Sequence, residues 1–138
     1  MSKKAIISFT IFALCILCAC FANPPTYQRI SAVEAYQMMQ RGMSGAGSQE
    51  LNDFVLLDVR TPAEFRESHI PGAILIPVNE LEQRAAAELP RKRVAIFVYC
   101  RIGARASTAA SLLARMGYTQ VFNMGGIVDW PFQTDSRN

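Results

Sequence analysis

At 138 residues the chain holds one domain of ordinary size. Its 14 basic and 11 acidic residues leave a net charge of +3, which falls to +1 without Lys3 and Lys4, so the domain has no electrostatic footprint for nucleic acid. Three of the 4 cysteines, Cys15, Cys18 and Cys20, crowd the N-terminus; Cys100 alone remains for the domain, which excludes an internal disulfide, a Cys-x-x-Cys redox pair and a cysteine-held zinc there.

Lys3 and Lys4 precede an uncharged apolar run, the charged and hydrophobic regions expected of an export signal over residues 1–22. Leu17-Cys18-Ala19-Cys20 resembles the lipobox of bacterial lipoproteins, which makes Cys20 a candidate for lipidation. Ordinary cleavage after Ala22 and an uncleaved anchor are the alternatives. The expected location is outside the cytoplasm, in the periplasm or cell envelope. Membrane contact is expected only through an N-terminal lipid or anchor.

Residues 23–29 read as a tether, with a brief strand near 27–30, ahead of a domain over 30–132 and a frayed tail over 133–138. Ser31 and Glu34 match a capping box, so a helix is expected to run to about Arg41 and stop at Gly42. The stretch 42–52, rich in Gly and Ser, reads as a surface loop. The apolar run 54–59 reads as a strand covered on both faces, with Asp58 near its end. Thr61 to Glu64, with Pro62 in first helical position, opens a short helix through Glu67. A turn at His69 to Gly72 leads to a strand over 73–76. Asn79 to Glu82 opens a helix that Pro90 ends.

Residues 94–100 form the next expected strand, and a helix should follow over 106–116, closed by Gly117. The last strand is expected over 120–124, with Gly125 and Gly126 leading into a final helical turn. Strands alternating with helices predict an α/β fold: an open, mainly parallel central sheet with helices on both faces. In such sheets ligands bind beyond the carboxyl ends of the strands, where Cys100 and Asp58 both fall.

A cysteine that ends a strand and precedes a helix N-terminus sits where a thiolate is easiest to hold, which makes Cys100 the candidate nucleophile. A helix terminus gives an anion about 0.3–1 kcal/mol at the surface and up to ~2 when partly buried. Loop amides aimed at the sulfur, with Arg101 and Arg105, are therefore expected to add to it. A buried structural cysteine would have no use for a Cys-Arg-x-Gly-x-Arg loop.

Asp58-Val59-Arg60, Glu64-Phe65, His69 to Ala73, the Cys100-Arg101-x-Gly103-x-Arg105-x-Ser107 loop and Gly125-Gly126-Ile127-x-x-Trp130 together resemble the single-domain rhodaneses. The resemblance implies a rhodanese-like fold and thiosulfate sulfurtransferase chemistry. It makes Cys100 the nucleophile and sulfur carrier, with a small anionic sulfur donor and a thiol or cyanide acceptor as partners, or a protein as acceptor. Arg101, Ile102, Gly103, Ala104 and Arg105 would form the substrate-binding loop. Asp58 and Arg60 stand at the rim or act as a structural ion pair. His69 is expected to serve its turn, Ser107 to bond the helix backbone and Trp130 to pack the core. No metal or organic cofactor is called for.

Some phosphatases share this fold, but their loop is Cys-x5-Arg. Here Ala106 occupies that seventh position and the arginine comes one residue early, at Arg105, which argues against a phosphatase or arsenate reductase. The remaining alternatives are a non-catalytic binding module of the same scaffold and an exported protein persulfide carrier.

Overall fold

A computed structural model describes residues 26–43 and 53–136. The export segment with Cys20, and residues 44–52 of the glycine- and serine-rich stretch, lie outside the described residues. Five strands form one sheet in which every pairing is parallel: β1 (Gln28–Arg29), β2 (Phe54–Asp58), β3 (Ile74–Leu75), β4 (Ala95–Cys100) and β5 (Val121–Gly126), in the order β1-β5-β4-β2-β3. The helices are α1 (Ala32–Met43), α2 (Pro62–Glu67), α3 (Leu81–Glu88) and α4 (Ala104–Arg115), followed by a 3-10 turn at Ile127–Asp129. None of the described helices is long and apolar enough to cross a membrane.

The central strand shows why the sheet needs cover on both sides. All six residues of β4 are buried, and the period of two splits them between two cores. Ile96, Val98 and Cys100 face α3 and α4, where they join Leu81, Ala85, Ala109 and Leu113. Phe97 and Tyr99 face α1 and α2, joining Ala35, Met39 and Phe65. Cys100 thus belongs by packing to the α4 side, directly beneath the N-terminus of that helix.

Local chemistry sets the boundaries. Ser31 caps α1 by accepting the Glu34 amide at 3.1 Å. Thr61 and Glu64 form a reciprocal capping box on α2, with Pro62 in first position. The first strand falls at Gln28–Arg29, so the sheet begins inside the segment read as tether. Helix α4 begins at Ala104, two residues earlier than expected, because Gly103 adopts a left-handed φ of 102° and its carbonyl accepts from the Ser107 amide at 3.0 Å. Strand β5 runs on to Gly126 through an irregularity: Val98 pairs with Asn123, but Cys100 pairs with Gly126. One extra residue is thereby accommodated on β5 beside the cysteine, at Gly125 with φ 84°.

The tail is not frayed at its start. Asp135 and His69 exchange backbone hydrogen bonds at 2.8 Å, and the Phe132 ring stacks on Tyr36 at 3.9 Å. Trp130 packs edge-on against both rings and donates its indole N–H to the Gln133 carbonyl. These aromatic contacts tie Trp130 and Phe132 to α1.

Candidate active site

Cys100 is the last residue of β4 and only 1% exposed. The Gly103 N–H donates to its Sγ at 3.0 Å. This contact needs the chain to reverse within three residues, which the positive φ at Gly103 allows at no steric cost. A second glycine makes room for the reversal. A Cβ on Gly126 would lie 2.4 Å from the Arg101 carbonyl oxygen, so only a hydrogen at that position lets the loop lie across β5. The Val128 N–H, in the 3-10 turn, then donates to that same carbonyl at 3.3 Å.

The five loop residues expected to bind substrate occupy different settings. Arg101 is exposed, and its side chain makes no ion pair among the described residues. Ile102 is 72% exposed at the loop tip. Gly103 holds the sulfur contact, and Ala104 is the exposed first residue of α4. Arg105, in the first turn of α4, lies against Glu64, with Nη2 to Oε1 at 2.7 Å and Nη1 to Oε2 at 2.8 Å. That two-pronged bond holds the Glu64 carboxyl down at about 2 against the opposing cost of burial, with the Thr61 amide and hydroxyl adding to it. In return the Glu64 hydrogen bonds and charge hold Arg105 more firmly protonated than usual, against the opposing pull of burial.

Asp58 and Arg60 form a buried ion pair, 0% and 4% exposed. Arg60 donates from Nε to both Asp58 oxygens at 3.0 Å and from Nη2 to Oδ2 at 2.6 Å. The same Nη2 donates to the Ser68 carbonyl at 2.6 Å, and the guanidinium lies over the Tyr99 ring. Burial pulls the Arg60 pKa down, but the Asp58 hydrogen bonds and charge outweigh it and the balance is upward. The pair therefore ties the end of β2 to the turn after α2.

His69 is buried and stacked on Phe65 at 4.0 Å between centroids. Its Nδ1 lies 2.8 Å from the Phe65 carbonyl, which only accepts, so Nδ1 carries the proton. The ring thus completes the C-terminal end of α2, in keeping with a turn role.

Residues given no binding or catalytic role from the sequence complete the site. Glu64 pairs with Arg105 across 41 positions. Asn123, on β5 and 5% exposed, donates to the Ser107 hydroxyl at 2.9 Å and accepts from the Gly125 N–H at 2.9 Å. Ser107 bonds the helix backbone as expected, donating to the Gly103 carbonyl at 3.2 Å, and it also meets Arg29 Nη2 at 3.5 Å. A pocket of about 310 Å³ opens on this side of the loop, walled by Arg29, Ile102, Gly103, Ser107, Asn123 and Gly125 among others. The capping pattern and the Glu64-Phe65 motif marked Glu64 in the sequence, the loop motif marked Ser107 and the Gly-Gly pair marked Gly125, but nothing there marked Asn123 or Arg29. Among the described residues no cluster of His, Cys, Asp and Glu is placed to hold a metal ion.

Chemically, the site is a sulfur at the floor of a tight loop, held by a backbone amide at the N-cap of a helix, with the paired Arg105 and the exposed Arg101 at its edge. It suits an anion on the sulfur and a small anionic reactant above it. Residues 32–131 match the family model described as Rhodanese-like domain. The chain is similar to the thiosulfate sulfurtransferase PspE of Escherichia coli, 41% identical over 73 residues that cover 53% of this chain and 70% of that one. A sulfurtransferase of Allochromatium vinosum is 39% identical over 82 residues, 59% of this chain and 75% of its own. Among solved structures, a rhodanese with anions from E. coli has a TM-score of 0.58 at 36% identity, over 61% of this chain and 99% of that one.

Proposed function

The chain belongs to the rhodanese-like domain family, and from that premise we propose that Cys100 carries a sulfane sulfur from thiosulfate or a similar small anionic donor to a thiophilic acceptor. Sulfur transfer in general is the activity that its relatives' names support. The observation that carries the finer reading is the Gly103 N–H at 3.0 Å from Cys100 Sγ, beneath the first turn of α4.

In the proposed reaction the Cys100 thiolate attacks the outer sulfur of thiosulfate. A new S–S bond forms to Cys100, the S–S bond of the donor breaks, and sulfite departs with that electron pair. Cys100 is left as a persulfide anion, which the Gly103 amide and the helix terminus favour as they favour the thiolate. A thiolate or cyanide then attacks the terminal sulfur and Cys100 leaves as thiolate, which closes a double displacement with ping-pong kinetics. With Cys100 1% exposed, a small donor suits the site better than a bulky one.

Two features bear on the acceptor and the location. Ile102 and Val128, 72% and 62% exposed, flank the loop and offer an apolar surface that favours a thiol carried on a protein or peptide over cyanide. The N-terminal signal pattern favours work outside the cytoplasm, with Cys20 as the lipidated residue; palmitate labelling of cells should mark the wild type, and equal labelling of Cys20→Ala would rule out that anchor.

The test is intact mass after incubation with thiosulfate. Gain of one sulfur atom by the wild type and none by Cys100→Ser supports the reading. No gain with any sulfane donor would overturn it and return the chain to a binding module.

A further inference from the structure

The residue whose amide meets the sulfur is a glycine, and glycine is the residue least able to hold its own conformation. At φ 102° and ψ −24°, Gly103 therefore needs restraint from its surroundings. The described contacts supply it from one direction. The Ser107 hydroxyl and amide both donate to the Gly103 carbonyl, at 3.2 and 3.0 Å, which fixes the peptide plane that follows Gly103. Asn123 donates to the Ser107 hydroxyl at 2.9 Å, so the hydroxyl's own proton remains for Gly103. The Asn123 carbonyl oxygen accepts from the N–H of Gly125, the residue at the irregularity in the β4–β5 ladder. Gly125 in turn backs Gly103, with its Cα 3.6 Å from where a Cβ on Gly103 would stand.

We propose that Asn123 and Ser107 are positioning residues for Cys100, a relay from β5 through the first turns of α4 that holds the Gly103 amide on the sulfur. The inference deepens the sulfur-carrier reading, on which its catalytic meaning rests. Asn123 suits the task because a carboxamide accepts and donates at once. Its oxygen replaces the ladder partner missing at Gly125, while its nitrogen sets the direction of the Ser107 hydroxyl. An aspartate there would keep the Gly125 bond, draw the Ser107 proton to itself and leave the Gly103 carbonyl without the hydroxyl.

The test uses the full chain and a reagent that needs no sulfur chemistry: alkylation by iodoacetamide, read at the Cys100 peptide by mass spectrometry. Ser107→Ala and Asn123→Asp should each slow it about three- to tenfold, the worth of one lost hydrogen bond. The double variant should be no slower than either single one, because both break the same relay. Ser107→Thr, which keeps a hydroxyl within reach of the carbonyl four residues back, should restore the wild-type rate. In thiosulfate assays the loss should fall on kcat and leave KM close to that of the wild type.

Ser107→Ala places the best helix former in a helix and should fold. Wild-type alkylation rates in Ser107→Ala and Asn123→Asp would overturn the proposal, as would additive losses in the double variant. A wild-type protein that alkylates but takes no sulfur from thiosulfate would overturn the sulfur-carrier reading and leave the relay standing.

Discussion

Arg105 and Glu64 meet fork to fork, two N–H···O bonds of 2.8 and 2.7 Å joining the first turn of α4 to the first turn of α2. The guanidinium offered by the loop motif is thus not free: it is aimed by a carboxylate from another helix. A depressed carboxyl stabilises the fold fully above its unfolded value near 4.5, and that contribution is lost as the pH falls toward about 2. Glu64→Gln should therefore be less stable than the wild type above pH 4.5, and the two should converge as the pH approaches 2. With Arg105 one-third exposed and screened by solvent, the difference at neutral pH should be about 1 kcal/mol or less. Urea midpoints across that range measure it, and a gap unchanged down to pH 2 would contradict it.

The same pair bears on turnover. If Glu64 aims Arg105 at an anionic donor, Arg105→Lys keeps the charge but loses the fork, and KM for thiosulfate should rise by about three- to tenfold. Arg101, which is exposed and bears no ion pair among the described residues, serves as the comparison. Arg101→Lys should change KM by less than Arg105→Lys. The reverse order in steady-state assays would show that the unpaired arginine, not the aimed one, meets the donor.

Gly126 gives a sharper steric test. A Cβ there would stand 2.4 Å from the Arg101 oxygen and 2.7 Å from the Ile102 Cα, both parts of the loop backbone. Gly126→Ala must push the loop off β5, at a cost of about 1–3 kcal/mol for overpacking. Sulfur uptake by Cys100 should fall by more than tenfold while the far-UV spectrum keeps its α/β shape. Wild-type uptake in a folded Gly126→Ala protein would mean that the loop position is not what activates the sulfur.

These cases show why the strand, the cysteine and the loop could be read from the sequence while the rest of the site could not. Cys100 announces itself locally: six buried residues of β4, a glycine at the turn and a helix all lie within one stretch of chain. Periodicity and turn chemistry report such short-range facts. Even there the start of α4 moved to Ala104, because helix entry depends on a Gly103 conformation that residue type permits without requiring. Glu64 reads as a capping residue and a member of the Glu64-Phe65 motif, but its pairing with Arg105 is hidden, since that partner lies 41 positions away. Asn123 reads as a polar residue in an apolar strand; its value comes from a ladder irregularity that only strand register reveals. The tail likewise reads as loose until Asp135 is seen paired with His69.

The buried pair of Asp58 and Arg60 and the histidine behind it separate holding the site from working in it. Asp58 is fully buried, and its partner bonds both of its oxygens and the Ser68 carbonyl, so Asp58→Asn would leave a buried guanidinium short of its counter-charge. Removing one partner of such a pair costs about 3–5 kcal/mol. His69 donates from Nδ1 to the Phe65 carbonyl and exchanges backbone bonds with Asp135, neither of which joins it to Cys100. His69→Asn should therefore lower the thermal midpoint while sulfur uptake per folded molecule stays within about twofold of the wild type, a change smaller than one lost hydrogen bond. Asp58→Asn should lower stability further and, below its own midpoint, still load sulfur on Cys100. Complete loss of uptake in a folded His69→Asn protein would instead make that ring a proton carrier for the sulfur, and the turn it completes would have to be read as part of the reaction.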